Sequence, residues 1–186
     1  MIARRKLMGG LLLAALSRPT WAQTTVSAED VRQELDAALP QHRLVGKGRL
    51  TVWGFQVYDA RLWALPGFKP DNLSAHPFAL ELAYLRNFSS KDTAERSISE
   101  MRRSAVISDS QANTWLAELQ RVIPDIKKGD RVMGIHRQDV GAQFLVNGKA
   151  SGEIRDAEFA RLFFGIWLSP KTSEPKLRAA LLAGAA

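Results

Sequence analysis

Asp59 and Arg61 stand two residues apart in a stretch that is otherwise largely apolar, Val45 to Trp63, VGKGRLTVWGFQVYDARLW. A carboxylate and a guanidinium at that spacing fall on one side of an extended chain, because side chains alternate along a strand. From Phe55 onward one face reads Phe55, Val57, Asp59, Arg61, Trp63 and the other reads Gln56, Tyr58, Ala60, Leu62. Neither face is cleanly apolar or cleanly polar. A strand that only closes a core alternates hydrophobic with polar residues, so this one is expected either to line a partly wet cleft or to carry a surface Asp59–Arg61 pair beside a bulge. In a cleft, the chemistry of such residues is recognition. A guanidinium can clamp a carboxylate with two charge-assisted hydrogen bonds, and a phenol such as that of Tyr58 can add another donor.

Other chemistries find little footing. His42, His76 and His136 are far apart and show no paired ligand spacing, so no metal and no cofactor is expected. Gly-x-Ser-x-Gly elbows, phosphate loops and dinucleotide glycine patterns are absent from the sequence. Gly46-Lys47-Gly48 lacks the strand-then-helix setting of a phosphate cradle. Asp125 and Asp130 flank the basic turn Lys127-Lys128-Gly129, which reads as a solvated loop rather than an acid–base pair.

Composition sets the compartment. Arg4, Arg5 and Lys6 precede an apolar run from Leu7 to Leu16, and small residues then lead to Thr20-Trp21-Ala22, the pattern of a secretory leader cleaved after Ala22. The apolar run is far short of the ~20 residues that a spanning helix needs, so no permanent membrane anchor is expected. Adjacent arginines also occur in twin-arginine leaders, but they are common in ordinary ones, and the general secretory route is the expectation. A periplasmic location follows. Removing the leader takes away Arg4, Arg5, Lys6 and Arg18 and no acid, leaving 22 basic residues against 19 acidic ones, so that the net charge falls from +7 to +3. The remaining charges are interspersed, which disfavours nucleic acid as a partner. With no cysteine at all, neither disulfides nor thiolate chemistry can serve an exported protein, and residues 23–186 are expected to form one conventionally packed domain.

The elements that position the candidate residues can be read from periodicity and punctuation. Ser27 is placed to cap a helix running to about Leu39, which Pro40 ends. Two strands follow, Arg43–Trp53 and Phe55–Leu65, then a Pro/Gly-rich loop and a strand Phe78–Arg86. Ser89 opens a helix with Asp92 three residues on and an apolar stripe at Ala94, Ile98, Met101 and Ala105. A second helix, from about Asp109 to Ile123, buries Trp115, Leu119, Val122 and Ile123 and stops at Pro124. Strands Arg131–His136 and Ala142–Val146 lead through Asn147-Gly148, a two-residue hairpin signal, into Lys149–Ile154. Asp156 caps a helix carrying Phe159, Phe163, Ile166 and Trp167, which breaks at Ser169-Pro170, and Ser173 starts a short last helix with Pro175 in its first turn. Strands, two helices, strands, then helices describe an α+β fold with a largely antiparallel sheet.

Four blocks in this order resemble the chalcone isomerase-like family, in its bacterial exported branch: GKGRLTVWGFQVYDARLW, FALELAYLRNFSSKDTAERSISEMRR, the turn Pro124 to Asp130, and FARLFFGIWLSPKTSEPKLRAALL. The resemblance implies an open-faced β-sandwich, with helices packed on one side of the sheet and a ligand cleft between them. The family includes enzymes that cyclise chalcones, non-catalytic relatives and fatty-acid-binding proteins, so membership alone leaves function open. The enzymes' Tyr, Lys and Asn on the helix after the middle strand correspond to Thr93, Arg96 and Glu100 here. An aliphatic hydroxyl replaces a phenol, and a carboxylate sits where a developing phenolate would need stabilising. The family's catalytic threonines correspond to Trp53 or a neighbour and to apolar residues near Leu162, so chalcone cyclisation is not expected.

The leading expectation is a non-catalytic binder of a small amphipathic or acidic apolar molecule, of the fatty acid or flavonoid class. Its candidate ligand-binding residues are Arg49, Tyr58, Arg61, Arg96 and Glu100, and Arg49 resembles an early-strand arginine that the family's binders and enzymes share. An isomerase or intramolecular lyase acting on another substrate, with Arg96 and Glu100 as an acid–base pair, is the second expectation. The third is an envelope interaction module using Trp53, Trp63 or Trp167 as an exposed patch.

Overall fold

A computed structural model describes residues 28–185; the expected leader and the Ser27 cap lie outside the described residues. Six strands, β1 (Arg43–Val52), β2 (Phe55–Ala64), β3 (Phe78–Tyr84), β4 (Arg131–Arg137), β5 (Gly141–Val146) and β6 (Lys149–Ile154), form one sheet in sequence order. Every neighbouring pair is antiparallel. The helices are α1 (Ala28–Ala38), α2 (Ser90–Met101), α3 (Asp109–Val122), α4 (Ala157–Leu168) and α5 (Pro175–Leu181). The α+β reading therefore holds, with α2 and α3 inserted between two strands that still pair.

Local chemistry explains the boundaries. The β1–β2 turn puts both Trp53 and Gly54 at positive φ, 49° and 82°, and Asn147-Gly148 repeats the pattern at 49° and 82°. Such turns match the right-handed twist of the flanking strands. Ser89 accepts the Asp92 N–H at the start of α2, Ser108 accepts that of Gln111 at the start of α3, and Asp156 accepts that of Phe159 at the start of α4. The expected stripe of α2 stops one residue early: the helix ends at Met101, and Ala105 packs on the core from the following loop.

Alternation divides the sheet into two unlike faces. On one, Tyr58, Leu62, Phe78, Leu80, Leu82, Tyr84 and Phe144 join Ile98, Trp115, Leu119, Phe163, Trp167 and Leu177 from α2–α5 in the main core. Each large apolar side chain buried there contributes about 1.5–3 kcal/mol relative to exposure. The four helices thus cover one face, as an open-faced sandwich requires. Against the opposite face lies α1, whose Leu35 meets Ala79, Met133 and Ile135, while Glu34 and Arg131 form a largely buried, bidentate ion pair.

Gly46 and Gly48 have a packing role. A Cβ at Gly46 would run into the Ala180 and Leu181 backbone, and one at Gly48 would meet Leu177 Cδ1 at 2.7 Å. Side chains at either position would push α5 off β1, so these glycines set the spacing between strand and helix.

Candidate functional site

Between the sheet and α2 and α4 lies a cavity of about 570 Å³, within the range usual for small-molecule sites. Its floor is Tyr58 of β2, Leu80, Leu82 and Tyr84 of β3, and Val132 of β4. Phe163, Phe164, Ile166 and Trp167 of α4 form one wall. Asp92, Thr93, Arg96, Ser97 and Glu100 of α2 form another, Trp53, Ser173 and Glu174 also line it, and Leu50, Val52, Val57, Phe88, Ile123 and Phe144 add apolar surface. Gly134 matters here because a Cβ on it would stand 3.1 Å from the Phe164 ring, so glycine lets that ring settle on the sheet.

Three of the five expected binding residues, Tyr58, Arg96 and Glu100, come together in this lining. Tyr58 is buried, and its hydroxyl accepts the indole N–H of Trp167 at 2.8 Å. Burial, the largest influence, pushes its phenol well above the ordinary range; the Trp167 bond opposes this, and the charges of Glu174 and Glu100 add to it. Arg96 and Glu100, one helical turn apart on α2, pair at 2.7 Å. Arg96 reaches toward solvent with 71 % of its side chain exposed, whereas Glu100 keeps only 9 %. The second carboxylate oxygen of Glu100 takes no hydrogen bond, its near cation being Arg103 at 3.6 Å.

The structure corrects the expectation for Arg49 and Arg61, which lie on the opposite face of the sheet from the cavity. Arg49 stands across from Asp59 in the β1–β2 register, and its guanidinium grips that carboxylate at 2.5 and 2.9 Å. This hydrogen-bonded pairing holds the Asp59 carboxyl below its usual range. Arg61 is bound across to Glu81 of β3 at 2.7 Å, and the Glu81 side chain is fully buried. The physical reason is register: Tyr58, Ala60, Leu62 and Ala64 form the helix-facing set, which sends Asp59, Arg61 and Trp63 the other way. The mixed strand is thus neither a cleft wall on its charged side nor a lone surface pair. It has one core-facing set and one set of cross-strand ion pairs.

Other expected residues also find their places. Trp53 is exposed at the hairpin tip, Trp63 is half-buried and Trp167 is buried, so the three do not make one patch. Asp125 accepts the Ser90 N–H and Asp130 accepts the Lys127 N–H, which makes both of them structural acceptors. His136 is buried, stacks on Phe78 at 4.8 Å and bonds through Nδ1 to the His76 carbonyl. Glu174 and Ser97 of the cavity were not singled out from the sequence. Glu174 sits in an irregular turn before Pro175, where no periodicity marks a facing direction. Ser97 is legible only as a polar interruption beside Ile98 in the apolar stripe of α2.

Comparison with known proteins gives three findings. The sequence model described as chalcone isomerase-like matches residues 23–183. An uncharacterized protein of Haemophilus influenzae is 31 % identical over 138 residues, which are 74 % of this chain and 66 % of that protein, so the chain spans a little under two thirds of that relative. A crystal structure of a fatty-acid binding protein of Arabidopsis thaliana superposes with a TM-score of 0.60 at 11 % identity, covering 78 % of this chain and 88 % of the other. At that identity the likeness shows shared fold alone.

Proposed function

Since this chain belongs to the chalcone isomerase-like family, we propose that it binds, without transforming, one small and largely apolar molecule in the cavity between the sheet and α2 and α4. The observation that carries this reading is the cavity itself: about 570 Å³, walled mainly by Leu, Val, Phe, Tyr and Trp, with a few polar groups gathered along α2 and at Glu174. Each methylene buried there would contribute roughly 0.8 kcal/mol, so a chain or ring system of fatty-acid or flavonoid size could offset the cost of association.

Non-catalytic binding is favoured by the state of the polar groups. Glu100 holds Arg96 at 2.7 Å through one oxygen and has Arg103 at 3.6 Å from the other, and such neighbouring cations favour the ionised carboxylate and make it a weaker base. The Tyr58 hydroxyl already accepts from Trp167, and burial disfavours its ionisation. A phenolate formed beside Glu100 would be repelled by that carboxylate, and the guanidinium of the lining, Arg96, is already engaged by it.

We also propose that the protein works in the periplasm. The leader pattern of residues 1–22 and the absence of cysteine support this, and the family match begins at residue 23. Cell fractionation with intact-mass measurement should find the protein in the periplasmic fraction beginning at Gln23.

Native mass spectrometry of the exported protein tests the binding reading, followed by delipidation and titration with apolar molecules of fatty-acid and flavonoid size bearing anionic, neutral and cationic head groups. A co-purified small molecule, or saturable binding with a rise in Tm, is expected. If no member of the set binds below about 1 mM, the proposal is rejected.

A further inference from the structure

The polar end of the cavity is acidic. Three carboxylates line it, Asp92, Glu100 and Glu174, against one guanidinium, Arg96, and that guanidinium is already engaged by Glu100 at 2.7 Å. Glu174 is half-buried, and among the described residues its carboxylate has neither an ion-pair nor a hydrogen-bond partner. Glu100 has nine tenths of its side chain buried and an oxygen without a hydrogen bond, Arg103 at 3.6 Å being the cation near that oxygen. Besides the burial that dominates, the charges felt by the Tyr58 hydroxyl are those of Glu174 and Glu100, with Arg96 the weakest influence and the only opposing charge.

We propose that the cavity selects a guest with a cationic head group, an ammonium placed beside Glu174 and Glu100, and rejects long-chain carboxylates. This rests on the binding function proposed above and specifies the chemistry of the guest. A carboxylate head could reach a cation here only by drawing Arg96 away from Glu100. That would leave the buried Glu100 carboxylate with only the more distant Arg103, at 3.6 Å, so the new pair would form at the expense of the old one. An ammonium brings three donors and a positive charge for Glu174, and pairing with Glu174 does not require Arg96 to leave Glu100. The exposed indole of Trp53 at the mouth, 93 % accessible, offers an aromatic face that also favours a cation. The arginines that would have anchored an acid, Arg49 and Arg61, are on the far side of the sheet and bound to Asp59 and Glu81.

The test uses three amphiphiles with the same chain, so that the apolar contribution cancels. Delipidated mature protein is titrated with decylammonium, decanol and decanoate at neutral pH, below their aggregation limits, by calorimetry or tryptophan fluorescence. Decylammonium is expected to bind about tenfold tighter than decanoate, the scale of one charge pair screened nearly as in water, with decanol between them. Glu174→Gln should cut that ratio to about threefold while leaving decanol affinity within about twofold. A decylammonium-to-decanoate preference below about threefold in the unaltered protein overturns the proposal. So does a preference unchanged in both Glu174→Gln and Glu100→Gln. Binding of decanoate as tight as that of decylammonium would remove the charge preference and leave the binding function standing, whereas failure of all three amphiphiles would overturn the preference and leave the binding function to the wider set of fatty-acid and flavonoid size.

Discussion

Trp167 donates its indole N–H to the hydroxyl of Tyr58 at 2.8 Å, so the helix over the cavity and the strand beneath it share one buried polar contact 109 residues apart in sequence. The two rings also belong to a larger aromatic assembly, with Tyr58 edge-on to Tyr84 at 5.6 Å and Trp167 edge-on to Phe163 at 5.4 Å. A cavity kept open beside a packed core needs walls that hold their positions, and a directional contact does this better than apolar packing alone.

Tyr58→Phe should therefore keep the fold and lose rigidity at the site. The phenyl ring preserves the packing, but the buried Trp167 N–H is left without an acceptor, at a cost of about 1–2 kcal/mol. A lower Tm and a shifted tryptophan emission are expected. Tyr84→Phe serves as the control, because the Tyr84 hydroxyl makes no such contact with α4. Equal losses in the two variants would refute the assignment of the cost to the Trp167 bond.

Alkaline pH should destabilise the protein through the same tyrosines. Burial raises the phenol pKa of both Tyr58 and Tyr84 above their ordinary value of 10.0. In the folded state each hydroxyl keeps its proton while the unfolded chain gives it up. Their contribution is fully present below pH 10 and falls as pH rises through the folded pKa. Denaturant midpoints measured from pH 8 to 11 should decline above about pH 10, and the decline should be shallower in the double variant Tyr58→Phe with Tyr84→Phe.

Much of the scaffold was legible in the sequence, and the faces of the site were not. Asn147-Gly148, the caps at Ser89 and Asp156, and the alternation of Phe78, Leu80, Leu82 and Tyr84 are local signals, and each produced its element at the expected place. The direction in which β2 presents Asp59 and Arg61 is a different kind of fact. Alternation puts both on one side with Trp63 and puts Tyr58 and Leu62 on the other, but each side mixes apolar and polar residues. Only the packing of α2–α5 decides which is inside. Glu81 within the apolar run of β3 is the sign in the sequence that Arg61 has a cross-strand partner of its own. Glu174 had no comparable sign, since its place in the lining depends on how the turn after α4 leads into α5.

Acidic pH should act through His136. The ring is buried against Phe78 and Phe164, and burial lowers its pKa below the ordinary 6.5, although the bond to the His76 carbonyl and the charge of Asp139 oppose this. Above pH 6.5 both states carry a neutral ring and the stability is intact. As pH falls, the unfolded chain takes up a proton first, so stability is lost as pH drops toward the folded pKa. His136→Asn keeps a donor near the His76 carbonyl and removes the titration. Its stability should be lower at neutral pH because aromatic contacts are lost, but its slope between pH 7 and 5 should be flatter. An unchanged slope would show that other groups control the acid limb.

The outer face of the sheet should respond to substitution as a structural surface. Arg61→Ala leaves the fully buried Glu81 carboxylate without its half-exposed counter-charge, and stranding a buried acceptor in this way costs about 1–3 kcal/mol. Because the cavity lies across the sheet, affinity for an apolar probe should stay within about twofold once the variant is studied below its Tm. Replacing both partners, Arg61→Leu with Glu81→Met, should recover most of the loss, since neither charge is then stranded. Arg49→Ala removes an exposed cross-strand pair and should leave Tm nearly unchanged. Thermal melts and a single probe titration on the four proteins decide the matter. Weaker probe binding by Arg61→Ala at undiminished stability would return Arg61 to the binding site and contradict the separation of the two faces.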